Sequence, residues 1–130
     1  MTDDRKRLNR LMAEKVMGWY PDVSYDSELL LPLLPPLVDG WGDKHGVFRY
    51  TKKGWNPTTN IEQAMECLIK ALQDNLIVEY ATSGNRDTGE CEVWVLAPDE
   101  KVGLKGYAGN SALEKPAEAI VRALKGVVVG

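Results

Sequence analysis

Apolar residues recur with a helical period in three parts of the chain. Between Leu8 and Val16 they return every three or four positions, which predicts a helix over about 3–17. The same period predicts a second helix over about 59–75 and a third over about 113–125. Charged residues take the opposite face of each pattern, so we expect one side of each helix to lie against a core.

Residues with strong terminal preferences indicate where these helices begin and end. Thr59, followed by Glu62 three positions later, predicts a capping box at the start of the second helix. Gly18 and Gly126 are expected to end the first and third helices. Pro116 is tolerated only in a first turn, so the third helix is expected to begin close to it.

Short runs rich in β-branched and aromatic residues predict four strands, over about 47–51, 76–82, 91–97 and 102–108. Turn-forming residues at 83–90 join the second run to the third, which predicts an antiparallel hairpin. The fourth run follows a second turn and extends the hairpin to a three-stranded meander.

The segment over 20–44 has a different pattern. Its four prolines exclude a continuous helix or a central strand, so we predict irregular structure there. Within it, Leu29–Val38 is strongly apolar, which predicts either a lid over the core or a surface for self-association or a protein partner. If the segment is a surface for association or for a partner, we expect Leu33, Leu34 and Leu37 to make the contacts.

Composition is that of an ordinary globular protein. The chain of 130 residues is 44% hydrophobic and 27% charged, which predicts one α+β domain over 1–130. A formal net charge of −3 argues against non-specific nucleic-acid binding, which needs a basic surface. No run approaches the ~20 apolar residues of a membrane helix, and the chain begins without a signal-peptide pattern, so we expect a cytoplasmic protein.

Three blocks of the sequence resemble one family of small bacteriophage proteins. Residues 11–19 are a helical run ending in Gly-Trp, residues 55–64 read Trp-Asn-Pro-Thr-Thr-Asn-Ile-Glu-Gln-Ala, and residues 116–125 begin Pro-Ala-Glu-Ala-Ile. In this order they are similar to the phage ABA sandwich domain family. The resemblance implies a three-layer α/β/α sandwich with a small, mostly antiparallel sheet, and a phage or prophage origin. It implies no catalytic residues, because the family has no established activity to transfer.

The side chains best suited to catalysis form no recognised motif. His45 is the sole histidine, and Asp39 and Asp43 beside it lack the spacing of a calcium or zinc site. Cys67 and Cys91 fall in a predicted helix and a predicted strand without a CxxC pattern, so both are expected to be buried free thiols. We therefore expect no metal, no cofactor and no enzymatic activity. The less favoured alternative is a small hydrolase whose activity depends on His45.

Two segments have the composition of an anion-binding site. Glycines at 103–111 allow backbone amides to approach an anion, and the cluster at 49–55 holds three basic and two aromatic side chains that can neutralise phosphate and stack on a base. The structural alternatives are a glycine-bearing strand and a solvated turn. The candidate ligand contacts are Lys105, Gly106, Tyr107, Arg49, Trp55 and, at the hairpin tip, Arg86.

Two functions follow as expectations. The first is a non-enzymatic phage accessory protein that binds a host protein or a component of anti-phage defence in the infected bacterial cell; the acidic balance and the apolar segment favour it. The alternative is a sponge that sequesters a small anionic nucleotide signal at the candidate ligand contacts.

Overall fold

Three helices and two three-stranded antiparallel sheets make up the computed structural model, which describes residues 3–25 and 37–129. The chain has the α+β fold that its sequence predicts, and its antiparallel strands form two sheets. The elements are α1 (Asp3–Leu11), a π-helical turn (Met12–Val16), β1 (Tyr20–Tyr25), β2 (Leu37–Gly42), β3 (Phe48–Thr51), α2 (Ile61–Gln73), β4 (Glu79–Asn85), β5 (Glu90–Asp99), β6 (Gly103–Ala112) and α3 (Pro116–Val129).

The small sheet, formed by β1, β2 and β3, corrects the prediction of irregular structure at 20–25 and 37–42; the intervening residues 26–36 lie outside the described ranges. β1 pairs with β2 and β2 pairs with β3, both antiparallel. Pro21 is accommodated because β1 is an edge strand, where the loss of one amide is tolerated, and it lies opposite Trp41. Gly40 suits the central strand because the Phe48 ring fills the space where a side chain would begin.

The large sheet, formed by β4, β5 and β6, is the predicted meander with longer strands. β6 continues through Gly109 to Ala112, beyond the predicted end of the fourth strand at about 108. The physical reason is a close crossing of α3: a Cβ on Gly109 would overlap the backbone of Ala119 and Ala123. A glycine that resembles a turn signal is therefore a packing contact between strand and helix.

The predicted start of α2 is wrong by one residue. Its N-cap is Asn60, whose side-chain oxygen accepts a hydrogen bond from the backbone nitrogen of Gln63 at 3.1 Å. Thr59 instead donates its hydroxyl to the carbonyl of Asn56, so the Thr59–Glu62 capping box does not form. Asparagine is as effective an N-cap as threonine, and the two neighbours compete for the position.

The ends of the other helices are partly as predicted. Gly18 follows the π-helical turn with a φ of +71°, which confirms its role as a terminator. Gly126 does not end α3, which continues to Val129 because the Tyr107 ring packs beside Gly126 in the space of a missing side chain. The third helix begins at Pro116, as the proline predicts.

The core forms around α3, which contacts β5 and β6 of the large sheet as well as α1 and α2. Cys67 and Cys91 are buried free thiols, as predicted, and burial raises the pKa of Cys67. Within the described ranges, no helix is both long and apolar enough to cross a membrane. The largest side chains enclosed in the core are Trp55, Met12, Leu68, Ile77 and Leu124.

Candidate ligand-binding cleft

A cleft of about 520 Å³ opens between α1, the small sheet and the turn that follows β3. We call it the basic cleft. This volume lies within the range of small-molecule sites in proteins. Its lining residues are Lys6, Asn9, Arg10, Pro21, Trp41, Lys52, Lys53, Trp55 and Asn56.

The apolar floor of the basic cleft is built by two tryptophans. Trp55 is 1% exposed, and its indole Nε1 donates a hydrogen bond to the backbone carbonyl of Asn9 at 2.8 Å. Its ring lies against those of Trp19 and Tyr50, with centroids 4.7 and 5.1 Å away. Trp41 is 4% exposed and lies opposite Tyr50 in the small sheet. The floor is therefore rigid and continuous with the core.

Four cationic side chains line the basic cleft, and none of its lining residues in the described chain is acidic. Arg10 is paired with Glu14, with Nε 2.8 Å from the carboxylate, and this hydrogen bond raises the pKa of Arg10. The Lys52 ammonium lies 5.4 Å from the centre of the Trp41 ring, a cation–π distance. Lys6 and Lys53 have no carboxylate partner within the described residues. At least three positive charges therefore face the cleft without a compensating anion from residues 3–25 and 37–129.

Gln63 fixes the turn that carries Lys52, Lys53 and Trp55. From the buried side of α2, its Nε2 donates to the carbonyl of Gly54 at 2.7 Å and its Oε1 accepts from the backbone nitrogen of Asn56 at 2.6 Å. By helical period Gln63 counts among the polar, outward positions of α2, whereas the structure buries it. Two hydrogen bonds from one side chain hold the backbone of the turn against the helix.

Asn9 joins α1 to the other end of the same region. This residue is 6% exposed, and its Oδ1 accepts hydrogen bonds from the backbone nitrogen and the hydroxyl of Thr58, at 3.0 and 2.9 Å. By helical period Asn9 counts among the polar, outward positions of its helix, whereas the structure buries it as well. Because Asn9 fixes α1 to this region, Lys6 and Arg10 are held on the same cleft as the turn.

A second cleft, of about 730 Å³, is lined by His45 and Asp43 but not by Asp39. Asp43 is buried, and its carboxylate accepts the backbone amides of His45 and Val47 at 2.8 and 3.0 Å and the Arg49 guanidinium Nε at 2.7 Å. Burial alone would raise the pKa of Asp43, but the hydrogen bonds from Val47, Arg49 and His45 outweigh it and lower the pKa. This carboxylate is engaged in holding a turn.

The other candidate reactive groups are not assembled around Asp43. His45 is exposed, and its imidazole has no hydrogen-bond partner among residues 3–25 and 37–129. Tyr50 donates its hydroxyl to Glu66 at 2.9 Å, and burial, followed by this hydrogen bond, raises the pKa of Tyr50. In the described part of the chain, no three His, Cys, Asp or Glu side chains converge as metal ligands would.

The structure divides the predicted ligand contacts among separate places. Trp55 lines the basic cleft together with Lys52 and Lys53 of the same cluster, whereas Arg49 lines the second cleft. Lys105, Gly106 and Tyr107 lie in β6 of the large sheet, with the Lys105 ammonium 5.4 Å from the Tyr107 ring centre. These residues do not form one pocket with the cluster at 49–55.

Arg86 also lies apart from the basic cleft. Arg86 is at the tip of the β4–β5 hairpin, near Glu90, whereas Lys105 pairs with Ala97 towards the other end of β5. Seven residues of extended strand separate these two positions, roughly 23 Å. Leu33 and Leu34 lie outside the described residues, and Leu37 begins β2.

Six residues of the basic cleft were not predicted: Lys6, Asn9, Arg10, Pro21, Trp41 and Asn56. Lys6 and Arg10 are four positions apart and therefore share a face of α1, a signal that was available. The sequence does not show which sheet packs against that face of α1. Comparison with known proteins gives no further guide, because no protein-family model, no curated protein and no solved structure matches this chain.

Proposed function

We propose that this protein captures a small anionic ligand in the basic cleft and acts by binding, without catalysis. The ligand class is a phosphate-bearing molecule with an apolar or aromatic part, such as a nucleotide. One observation carries the proposal: four cationic side chains surround a floor of two tryptophans, and no carboxylate lines the cleft within the described chain.

The charge distribution makes this cleft unusual for the molecule. The whole chain carries a formal charge of −3. The charged residues that line the cleft are nevertheless all positive within the described chain, so the local charge is opposite in sign to the net charge. Solvated lysines are common on protein surfaces, but here they share a concave site with a buried apolar floor. Cations at the rim suit phosphate oxygens, and the apolar floor suits a ring or hydrocarbon part.

The state of the candidate reactive groups supports binding over catalysis. A nucleophilic cysteine needs thiolate character, whereas Cys67 is buried and its pKa is raised. A general base needs access to substrate, whereas the Asp43 carboxylate is occupied by two amides and Arg49. These engagements favour a structural role for both residues.

A thermal-shift experiment tests the proposal. Unfolding is followed with ATP, a cyclic dinucleotide, inorganic tripolyphosphate and uncharged adenosine as ligands. A ligand at 100 times its Kd adds about 2.7 kcal/mol to the free energy of unfolding, so we expect a clear rise in Tm with at least one phosphate-bearing compound. Adenosine is expected to give a much smaller rise.

Charge-reversal variants locate the site. The double variant Lys52→Glu/Lys53→Glu is expected to lose the ligand-induced rise in Tm, because it replaces two rim cations by anions. Lys101→Glu, in the exposed turn between β5 and β6, is the matched control and should keep it. Lys105→Glu tests the glycine-rich segment of β6 as the alternative site, and it should keep the ligand-induced rise in Tm if the basic cleft binds the ligand. A flat response to every phosphate compound, or a full response in the double variant, overturns the proposal.

A second candidate function is the capture of a protein partner, favoured by the outer face of the large sheet. Trp94 and Leu104 each expose 51% of their surface there, on the side of β5 and β6 turned away from the buried residues of β5. The phage-family resemblance predicts a host or anti-phage-defence protein in the cytoplasm as that partner. A purified partner that is retained by the wild-type chain and lost with Trp94→Glu, together with a flat ligand screen, would favour this candidate.

A further inference from the structure

β6 forms one edge of the large sheet. It pairs with β5 through ten consecutive residue pairs, from Gly103 opposite Asp99 to Ala112 opposite Glu90, without a bulge. The described residues place no strand on its other side. An edge strand of this length presents a row of backbone donors and acceptors to solvent.

The alternation of hydrogen bonds identifies the outward-facing groups. Leu113, next after β6, donates its backbone nitrogen to the carbonyl of Gly89 at 2.8 Å, which continues the ladder by one pair. Odd-numbered residues of β6 therefore bond to β5, and even-numbered residues direct their N–H and C=O groups outwards. The Ala112 carbonyl is taken by the amide of Lys115. The outward-facing residues that remain are all exposed: Leu104, Gly106, Ala108 and Asn110.

This edge lacks the features that usually prevent strand pairing. β6 contains no proline and no acidic residue, and its one charged residue is Lys105. The edge strand β1, by contrast, carries Pro21 and Asp22. α3 also crosses β6 closely at Gly109, so the backbone of the strand is held in an extended form before any partner arrives.

We propose that two copies of this chain associate through antiparallel pairing of their β6 strands, which joins their large sheets into one six-stranded sheet. The strand is self-complementary about Tyr107. A two-fold axis there places Gly106 opposite Ala108 of the second copy and Leu104 opposite Asn110, with roughly eight backbone hydrogen bonds. Lys105 then lies opposite a glycine, so no like charges face each other.

Features of β4 make it a weaker choice for the same contact. β4 has seven residues, one of them acidic, and all of them are exposed. β6 has ten residues with a helix packed against it. The second copy is therefore assigned to β6, which offers the longer and better supported edge. This inference is independent of the basic cleft, whose lining contains no residue of the large sheet.

Sedimentation equilibrium of the full chain over a range of concentrations tests the association. We expect the mass to rise from 14.5 kDa towards twice that value as concentration increases. Ala108→Pro removes an outward-facing amide that the ladder to β5 does not use, so the variant should fold and stay monomeric. The matched control is Ala81→Pro, on the outer face of β4, where the amide is directed towards β5; it should lower stability without a specific loss of association.

Hydrogen exchange makes the test independent of how well the proline variant folds. The amides of Leu104, Gly106, Ala108 and Asn110 in the wild-type chain should become protected as concentration rises, and those of Tyr80 and Thr82 in β4 should not. A mass of 14.5 kDa at every concentration overturns the proposal. A dimer whose four β6 amides exchange freely overturns it as well.

Discussion

At the scale of single residues, the Asp43 carboxylate holds the turn between β2 and β3 together. It accepts hydrogen bonds from the amides of His45 and Val47 and from Arg49. The pKa of Asp43 is lowered despite its burial, so folding favours the charged form. The resulting stabilisation is complete above the pKa of Asp43 in the unfolded chain, and it is lost as the pH falls through the lower pKa of the folded one.

The variant Asp43→Asn tests this role through its pH dependence. We expect it to lower Tm at pH 7, because the ion pair with Arg49 is lost. The gap between the variant and the wild type should narrow as the pH falls from about 4 towards 2, where the wild-type carboxyl also becomes neutral.

Asp39→Asn is the matched control for this measurement. Asp39 is exposed and has no ion pair within residues 3–25 and 37–129, so its replacement should change Tm little at either pH. Thermal unfolding followed by circular dichroism gives both comparisons. A Tm gap for Asp43→Asn that stays equally wide in acid would contradict a role based on charge.

Glycine shows why single-residue signals are only partly predictive. Gly18 has a positive φ at the end of a helical segment, as its position predicts. Gly109 and Gly126 have negative φ values and are required by close packing, against α3 and Tyr107 respectively. Both uses of glycine follow from the missing side chain. The sequence alone does not show whether another element passes nearby, so the strand end predicted at about 108 and the helix end predicted at Gly126 were wrong.

At the scale of elements, helical period and strand composition are enough to predict the order of α1, β3, α2, the meander and α3. The small sheet was missed because its strands β1 and β2 are marked by Pro21 and glycines, which count against a strand locally. Pairing between strands accommodates them: Pro21 lies at an edge, and Gly40 lies under the Phe48 ring. Such compensation depends on tertiary contacts that no local pattern contains.

The contact between α2 and the turn after β3 gives an element-scale prediction. Gln63→Leu places an apolar side chain of similar size in this buried position and removes the hydrogen bonds to the Gly54 carbonyl and the Asn56 amide. Each hydrogen bond of this kind contributes about 0.5–1.5 kcal/mol, so losing both should lower the free energy of unfolding, measured with urea, by about 1–3 kcal/mol. The loosened turn should also weaken ligand binding.

Gln73→Leu, at the exposed end of the same helix, is the control for helix propensity and added hydrophobicity. Its free energy of unfolding should change by less than about 0.5 kcal/mol. If Gln63→Leu were as stable as Gln73→Leu, the two hydrogen bonds would not be what holds the turn.

At the scale of the whole molecule, the basic cleft combines residues that are distant in the sequence. Lys52, Lys53 and Trp55 form a contiguous cluster, and this half of the cleft could be predicted. Lys6 and Arg10 come from α1, and Trp41 comes from a strand that local patterns did not predict. The other half therefore depends on how α1 packs against the small sheet. The glycine-rich segment of β6 was a reasonable anion site by composition, but it lies in the other sheet.

The cleft is positive whereas the whole molecule is negative. The salt dependence of ligand binding therefore shows which of the two charges governs the affinity. The net charge of −3 repels an anion at long range, whereas the cleft cations attract it at short range, and salt screens both effects. If the cleft dominates, the affinity for ATP should fall on the order of tenfold between 50 and 500 mM KCl, because the Debye length shrinks below the width of the site. Isothermal titration calorimetry measures this, with uncharged adenosine as the control. An affinity for ATP that rises with salt would show that the overall negative charge governs the encounter, and the assignment of the basic cleft would be wrong.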